Sequence, residues 1–210
     1  MNYRLRALST SLACLLTTPI VAEVACADQG SMLVRGRIIN IQPANKSTGG
    51  MFPENAISIS SKAAPEVDFS YFLTQNIAAE LVVTYPQQHD VSVNGYGTVG
   101  SFKELPPTLT VQYHFSPTAT VSPYLGAGIN YTRISNVNFT QAGFTAATLS
   151  KNNIGLALQA GTDINITNEW LINFDIKKIQ LRPDVKVNGN TVSTIKADPW
   201  IVGVGVGYRF

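Results

Sequence analysis

Two histidines, His89 and His114, are the side chains here best suited to general-base or metal chemistry. Asp90 follows His89, a pairing that looks catalytic in isolation. A working base also needs a positioned nucleophile and a third group to orient it. Neither follows from the spacing, so a loop-end hydrogen bond is the expected role of His89. By the strand order derived below, the two histidines stand at opposite ends of the fold and share no site. No clustered His, Cys or carboxylate spacing marks a metal centre, no glycine loop is arranged to cradle phosphate, and Asn94-Gly95 and Asn188-Gly189 are turn chemistry. No enzyme, cofactor or metal is expected. The chemistry that remains is charge pairing: Arg35, Arg37, Lys177 and Arg209 against Asp68, Glu80, Asp163 and Asp175, with His114 at their level.

Those residues sit in a chain that begins like an exported protein. Arg4 and Arg6 precede a short apolar run, and Ala25-Cys26-Ala27 has the small-x-small form of a cleavage site, so residues 1–27 are expected to be a signal peptide and 28–210 the mature domain. Cys14 and Cys26 leave with it, and the mature chain holds no disulfide. The full chain carries 15 basic and 13 acidic residues, and this near balance argues against a nucleic-acid binder. After the leader no run of about 18 apolar residues offers a membrane helix.

What the chain does offer is alternation. In a strand, successive side chains face opposite sides. Trp200, Val202, Val204, Val206, Tyr208 and Phe210 share one bulky face, and Ile201, Gly203, Gly205, Gly207 and Arg209 share the other. Similar alternation recurs near 33–41, 67–73, 77–85, 109–115, 121–131, 154–166 and 170–176. About eight strands of roughly ten residues match what a tilted strand needs to cross a bilayer. Tight turns near 74–76, 116–120 and 167–169 alternate with long polar connections near 44–62, 89–104, 135–151 and 183–196. The expected fold is therefore all-β: an eight-stranded antiparallel transmembrane β-barrel with short periplasmic turns and long extracellular loops. The competing reading is a secreted lipocalin-like barrel, whose apolar face would point inward. Within the third outer connection, 141–149 could form a short helix.

An eight-stranded barrel is barely wide enough for its own side chains or one slim ligand. The balanced charge set above falls near the periplasmic ends of the strands and is expected to pair as a polar floor, since unpaired buried charges are costly. Farther out the inward residues turn small or apolar. Ile39, Ile41, Val82, Pro106, Ile179, Leu181 and Ile201 are the candidate lining of a pocket for a slim hydrophobic ligand, with plain core filling as the alternative. Such a ligand would enter from outside and leave sideways into the bilayer, because straight passage crosses the ionic floor. The outward charges Arg133 and Lys178 fall toward the outer strand ends, within reach of lipopolysaccharide phosphates. Trp170 and Trp200 suit the two membrane interfaces. The rival functions are a structural or receptor barrel, and an enzyme acting on lipid, for which no Ser or Asp beside a rim His is evident.

Several segments carry a resemblance: Leu33-Val34-Arg35-Gly36, Tyr85-Pro86 with His89-Asp90-Val91, Leu105-Pro106-Pro107-Thr108-Leu109, Pro123-Tyr124-Leu125-Gly126-Ala127-Gly128-Ile129-Asn130-Tyr131, Asp198-Pro199-Trp200, and the final eight residues Gly203 to Phe210. Together they resemble the OmpW family of small outer-membrane proteins, across essentially the whole mature chain. The resemblance implies an eight-stranded barrel in the outer membrane of a Gram-negative bacterium, taking small hydrophobic molecules across it. It also implies, for some members, colicin or phage binding by the outer loops. Phe210, with Tyr208 before it, resembles the signal read by the outer-membrane assembly machinery.

Overall fold

The computed structural model describes residues 29–48 and 53–210. The expected leader lies outside the described residues. The strands in chain order are β1 (Met32–Gln42), β2 (Lys46–Ser47), β3 (Ile57–Ile59), β4 (Lys62–Phe72) and β5 (Ile77–Thr84). Then follow β6 (Gln87–Val93), β7 (Gly97–Leu105), β8 (Thr108–His114), β9 (Val121–Phe139) and β10 (Ala147–Leu149). The last are β11 (Asn152–Asn165), β12 (Trp170–Ile179), β13 (Asp184–Val187), β14 (Asn190–Lys196) and β15 (Trp200–Arg209).

Eight of them close into a ring, β1-β4-β5-β8-β9-β11-β12-β15 and back to β1, with every pair antiparallel. Alternation explains the closure. On β8, Thr108, Thr110, Gln112 and His114 are buried while Leu109, Val111 and Tyr113 are exposed. The polarity is inverted relative to a soluble barrel: Val111, Leu125 and Val204 are 55%, 53% and 48% exposed outside, while Arg35, Asp68 and Glu80 are fully buried inside. A continuous apolar band of this kind is untenable in water and natural in hydrocarbon, which rules out the lipocalin-like alternative.

The short connections 73–76, 115–120 and 166–169 share one end with both termini of the barrel. Hydroxyl-capped turns shape two of them. Thr74 Oγ1 accepts from the Ile77 amide at 3.0 Å, and Thr167 Oγ1 from the Trp170 amide at 3.0 Å. Trp170 packs edge-on against Tyr208, and Tyr208 against Phe210, at centroid distances of 5.0 and 4.8 Å. Trp200 stands at the other end beneath Lys178, whose Nζ lies 4.8 Å from its ring centroid. The two tryptophans thus stand at opposite ends of the barrel wall.

The long outer connections are more ordered than expected. β7 pairs with the outer half of the 19-residue β9, β6 with β7 and β3 with β6, while β10, β13, β14 and β2 form a second sheet. The sheets meet where Asn45 and Asn55 bridge β2 and β3. Asn45 Oδ1 accepts from the Ile59 amide at 2.8 Å and Asn55 Oδ1 from the Ser47 amide at 3.3 Å. Both asparagines have positive φ, 53° and 58°, the left-handed turn that asparagine tolerates. The Ile134 amide donates to the Lys151 carbonyl at 2.7 Å, which extends the β9–β11 ladder one step past Asn152↔Arg133. These strands form a crown above the barrel. No helix forms at 141–149: 141–146 is a turn and 147–149 is β10. Gly143, at φ +91°, bends the backbone away from a helical path.

Candidate functional site

The interior is layered along the barrel axis. At the periplasmic end Leu33, Phe72, Ala78 and Leu171 form a small apolar cluster. His114 lies against it, with its ring 5.0 Å from both the Phe72 and Tyr124 rings and its Nε2 3.2 Å from Gln112 Oε1.

Above this layer is an ionic belt built from pleat-spaced pairs. Arg35 and Arg37 on β1 stand opposite Asp68 and Glu66 on β4. Arg35 Nη1 lies 2.9 Å from Asp68, and its Nε and Nη2 grip Asp163 at 3.1 and 2.7 Å, a bidentate fork. Arg37 is the hub. It meets Glu66 at 2.9 Å, Glu80 at 3.1 Å and Asp175 at 3.3 Å, and also bonds Asp68. Lys177 Nζ joins Glu66 and Asp175, both at 2.8 Å. These side chains are 0–2% exposed.

Neutral groups add hydrogen bonds to three of these carboxylates. Tyr124 OH and Gln159 Nε2 each donate to Asp175 at 2.7 Å, Thr110 Oγ1 donates to Glu80 at 2.8 Å, and Asn173 Nδ2 donates to Asp163 at 2.8 Å. Room for two stacked arginines comes from the last strand. The register sets Gly207 opposite Arg35 and Gly205 opposite Arg37. A Cβ on Gly205 would fall 2.7 Å from Arg37 Cγ, and one on Gly207 3.1 Å from Arg35 Cγ.

The structure brings together Arg35, Arg37, Asp68, Glu80, Asp163, Asp175 and Lys177, but not in the arrangement expected from strand position. The belt lies above an apolar layer rather than at the lowest level, with His114 between the two. Arg209 stands opposite Leu33, one inward position below Arg35, and reaches toward Asn165 Oδ1 at 3.5 Å. Glu66, missed at the sequence level, takes its place in the belt's charge pattern. Three cations therefore face five carboxylates rather than four facing four. The sequence did carry a signal for Glu66, which is two residues from Asp68 and so on the same strand face.

Above the belt the lumen is apolar on the β1, β12 and β15 side, while Thr108, Asn130 and Thr132 are buried on the β8–β9 side. Ile39, Ile41, Ile179, Leu181 and Ile201 are each buried to 4% or less and belong to one cluster that continues into the crown through Ile57, Val91, Phe102, Ile134 and Ile195. Val82 and Pro106 are also buried, beside the end of the β5–β8 ladder at Val82↔Thr108. Of the two outward cations, Arg133 is exposed on β9, and Lys178 donates to the Asp198 carbonyl. Asp198 also accepts from the Leu181 amide at 3.0 Å and pairs with Arg182, which gives the Asp-Pro-Trp segment its role in tying the β12 and β15 ends together.

His89 is in the crown, on β6. Its Nδ1 lies 2.7 Å from the Ser60 carbonyl and its Nε2 3.3 Å from Glu104, so the carboxylate facing its ring is Glu104 and not the neighbouring Asp90. Burial opposes charge on the ring, but the Glu104 carboxylate and the Ser60 carbonyl outweigh it and raise the His89 pKa above 6.5. A raised value means that the pair's stabilisation is present below about pH 6.5 and fades as pH climbs through the folded value. Titration of the His89 ring by NMR in nanodiscs is expected to show a midpoint above that of a free histidine. Glu104→Gln is expected to lower it, and an unmoved midpoint would remove the pair from the account.

Comparison with known proteins agrees with this architecture. Residues 28–210 match the sequence profile of the OmpW family. The chain is 39% identical over 204 residues to an uncharacterized outer-membrane protein, y4mB, of Sinorhizobium fredii, covering 93% of this chain and 88% of that one. A more distant relative is the dibenzothiophene metabolism operon protein PahQ of Pseudomonas aeruginosa, 26% identical over 171 residues and covering 77% and 78% of the two chains. The crystal structure of the outer membrane protein OprG from Pseudomonas aeruginosa superposes with a TM-score of 0.79 over 89% of this chain and 99% of that one; at 24% identity the likeness speaks for the fold alone. The chain belongs to the OmpW family, and its barrel resides in the outer membrane of a Gram-negative bacterium.

Proposed function

We propose that the protein passes small hydrophobic molecules from outside through the apolar upper lumen and releases them sideways into the bilayer above the ionic belt. The observation that carries this reading is the continuous apolar cluster running from the crown to Ile39 and Ile201, stopped below by a filled, ion-paired layer. Moving an apolar molecule through desolvated charges would break their pairing at high cost.

A seam in the wall supports a sideways exit. The β4–β5 ladder ends at Glu66↔Thr84 and the β5–β8 ladder at Val82↔Thr108. Pro65, Pro86, Pro106 and Pro107 stand just beyond these ends, and proline has no amide to extend a ladder. The seam borders Val82 and Pro106. The operon in PahQ's name concerns an apolar aromatic compound, which is consistent with a hydrophobic cargo. The role is passive. His89 is engaged by Ser60 and Glu104 and His114 is packed between rings, so neither is poised as a general base.

Uptake of a hydrophobic fluorescent tracer into liposomes tests the reading. The Ile39→Asp, Ile201→Asp double variant is expected to slow protein-dependent uptake at least about tenfold, since each carboxylate adds a desolvation barrier to the apolar path. Equal uptake by parent and variant would sink it.

A receptor role has one observation in its favour. The crown is a β-structured outer surface over a packed interior, a surface that colicin or phage could bind. Deleting residues 140–146 and scoring sensitivity tests that role. As partners we propose lipopolysaccharide phosphates for Arg133 and Lys178. For Phe210, 73% exposed with its amide donating to the Met32 carbonyl at 2.8 Å, we propose the assembly machinery.

A further inference from the structure

The outward face of β12 changes character partway up the wall. Ile172, Phe174 and Ile176 face lipid, and Lys178, Gln180 and Arg182 continue the same face beyond them. On neighbouring β11 the apolar run does not stop at that level. Leu158 stands opposite Lys178, and the Leu156 carbonyl accepts from the Gln180 amide at 2.8 Å. Leu158, Leu156 and Ile154 are 60%, 65% and 78% exposed. Apolar and cationic side chains thus run side by side over the same rows, toward the outer end of the wall.

Two open grooves follow one another along this strand pair. The upper one, about 200 Å³, is lined by Leu156, Leu158, Lys178, Gln180, Arg182 and Asp198. The lower one, about 410 Å³, has Ala160, Thr162, Phe174, Ile176 and Val202 among its walls. Its row Ala160–Ile176–Val202 is the next outward row below Leu158–Lys178–Trp200. Ala160 carries the smallest side chain of the outward β11 face and leaves the room there. A lysine that only snorkels reaches away into water. Lys178 is instead held in place: its Nζ donates to the Asp198 carbonyl and lies 4.8 Å from the Trp200 ring centroid. Asp198 engages Nε and Nη2 of Arg182 at 3.1 and 2.9 Å. A guanidinium has five donors and an ammonium three, so both cations keep donors for a second anion. One carboxylate against two cations leaves the upper groove positive.

We propose that these grooves seat one lipid A molecule of the outer leaflet, with a phosphate on Lys178 and Arg182 and an acyl chain in the lower groove at Ala160; the proposal rests on the reading of lipopolysaccharide as the partner of Lys178. A phosphate monoester carries about −1.5 to −2 charges near neutral pH, which suits two cations. The phosphodiester of a glycerophospholipid carries a single negative charge. Bonds from fixed cations to phosphate oxygens are charge-assisted and directional, and the glycolipid's chains cover the exposed Leu156 and Leu158 beside them.

The test titrates the full mature protein in detergent with diphosphoryl lipid A, and separately with phosphatidylglycerol, and counts bound lipid by native mass spectrometry. One saturable lipid A per barrel is expected, held more tightly than phosphatidylglycerol. The Lys178→Gln, Arg182→Gln double variant is expected to weaken it at least about tenfold by removing the charge-assisted bonds. The charge-retaining Lys178→Arg, Arg182→Lys pair is expected to keep it, and loss in both pairs would overturn the phosphate contact. Ala160→Phe is expected to weaken binding at least about threefold by filling the acyl path, with Ala160→Leu in its place should the ring prevent folding. Val111→Phe, on another part of the lipid face, should change nothing. Equal binding of phosphatidylglycerol would overturn the assignment to lipid A. Binding lost with Arg133→Gln but untouched by the groove variants would overturn the grooves and keep lipopolysaccharide as a partner. No saturable lipid A at all would overturn both.

Discussion

Arg37→Met is expected to destabilise the barrel by roughly 3–5 kcal/mol, the cost typical of removing one partner from a buried ion pair. Its guanidinium faces Glu66, Asp68, Glu80 and Asp175 at full burial. Methionine fills similar volume, so packing alone would cost little. What remains is a group of carboxylates served only by Arg35 and Lys177, already fewer than the acids around them. Equilibrium unfolding in denaturant, followed by the folded band in unboiled gel samples, measures the loss. Adding Glu80→Gln to Arg37→Met should recover part of it, because the two positions are in contact and their effects are not additive. Arg37→Lys is not expected to rescue, since an ammonium cannot fork to several carboxylates at once. A loss below about 1 kcal/mol would mean that the belt is solvated and would weaken its role as a barrier.

Gly205→Val is expected to abolish closure of the barrel. A Cβ at Gly205 would sit 2.0 Å from the Gly36 carbonyl oxygen and 2.7 Å from Arg37 Cα, both backbone atoms of β1. The two strands would have to separate, and β1–β15 is the pairing that joins the first barrel strand to the last. The folded band and the outer-membrane pool should both disappear. Gly36→Ala is the control on the facing strand. A Cβ there meets nothing within 4 Å and points toward lipid, so a change within about 0.5 kcal/mol is expected. A folded Gly205→Val barrel would show that the strands spread to admit a side chain and that the glycine repeat is not what seats the arginines.

Alternation carried the wall. The outward run Trp200, Val202, Val204 and Val206 and the inward arginines of β1 are readable because a period of two leaves only two choices of face. Depth was less legible. Glu66 stands opposite Arg37, and Arg209 opposite Leu33, only through the pairing registers of β1 with β4 and with β15. Neither register is written in any single strand. The crown was illegible for a different reason. β2, β3 and β10 are two to three residues long, too short for a period to show. Their order depends on asparagine side chains bridging the backbone and on apolar residues such as Val99 and Ile195 that meet only in space. The apolar core of the crown follows from that meeting, so it had no sequence signature at all.

The belt has a consequence in time as well as in space. Apart from Lys177 with Asp175, its ion pairs span the chain, from 29 positions for Arg37 with Glu66 to 138 for Arg37 with Asp175. Arg35 finds Asp163 only when β11 is in place, and both arginines find their glycines only when β15 arrives. Contacts of such long sequence separation form late, because the intervening chain must first be ordered. During assembly the first strand therefore waits with two positive charges on its inner face that have met only the carboxylates of β4 and β5. The last strand completes the ring at the step that lets those charges be buried, so the interior of the barrel records whether assembly has finished.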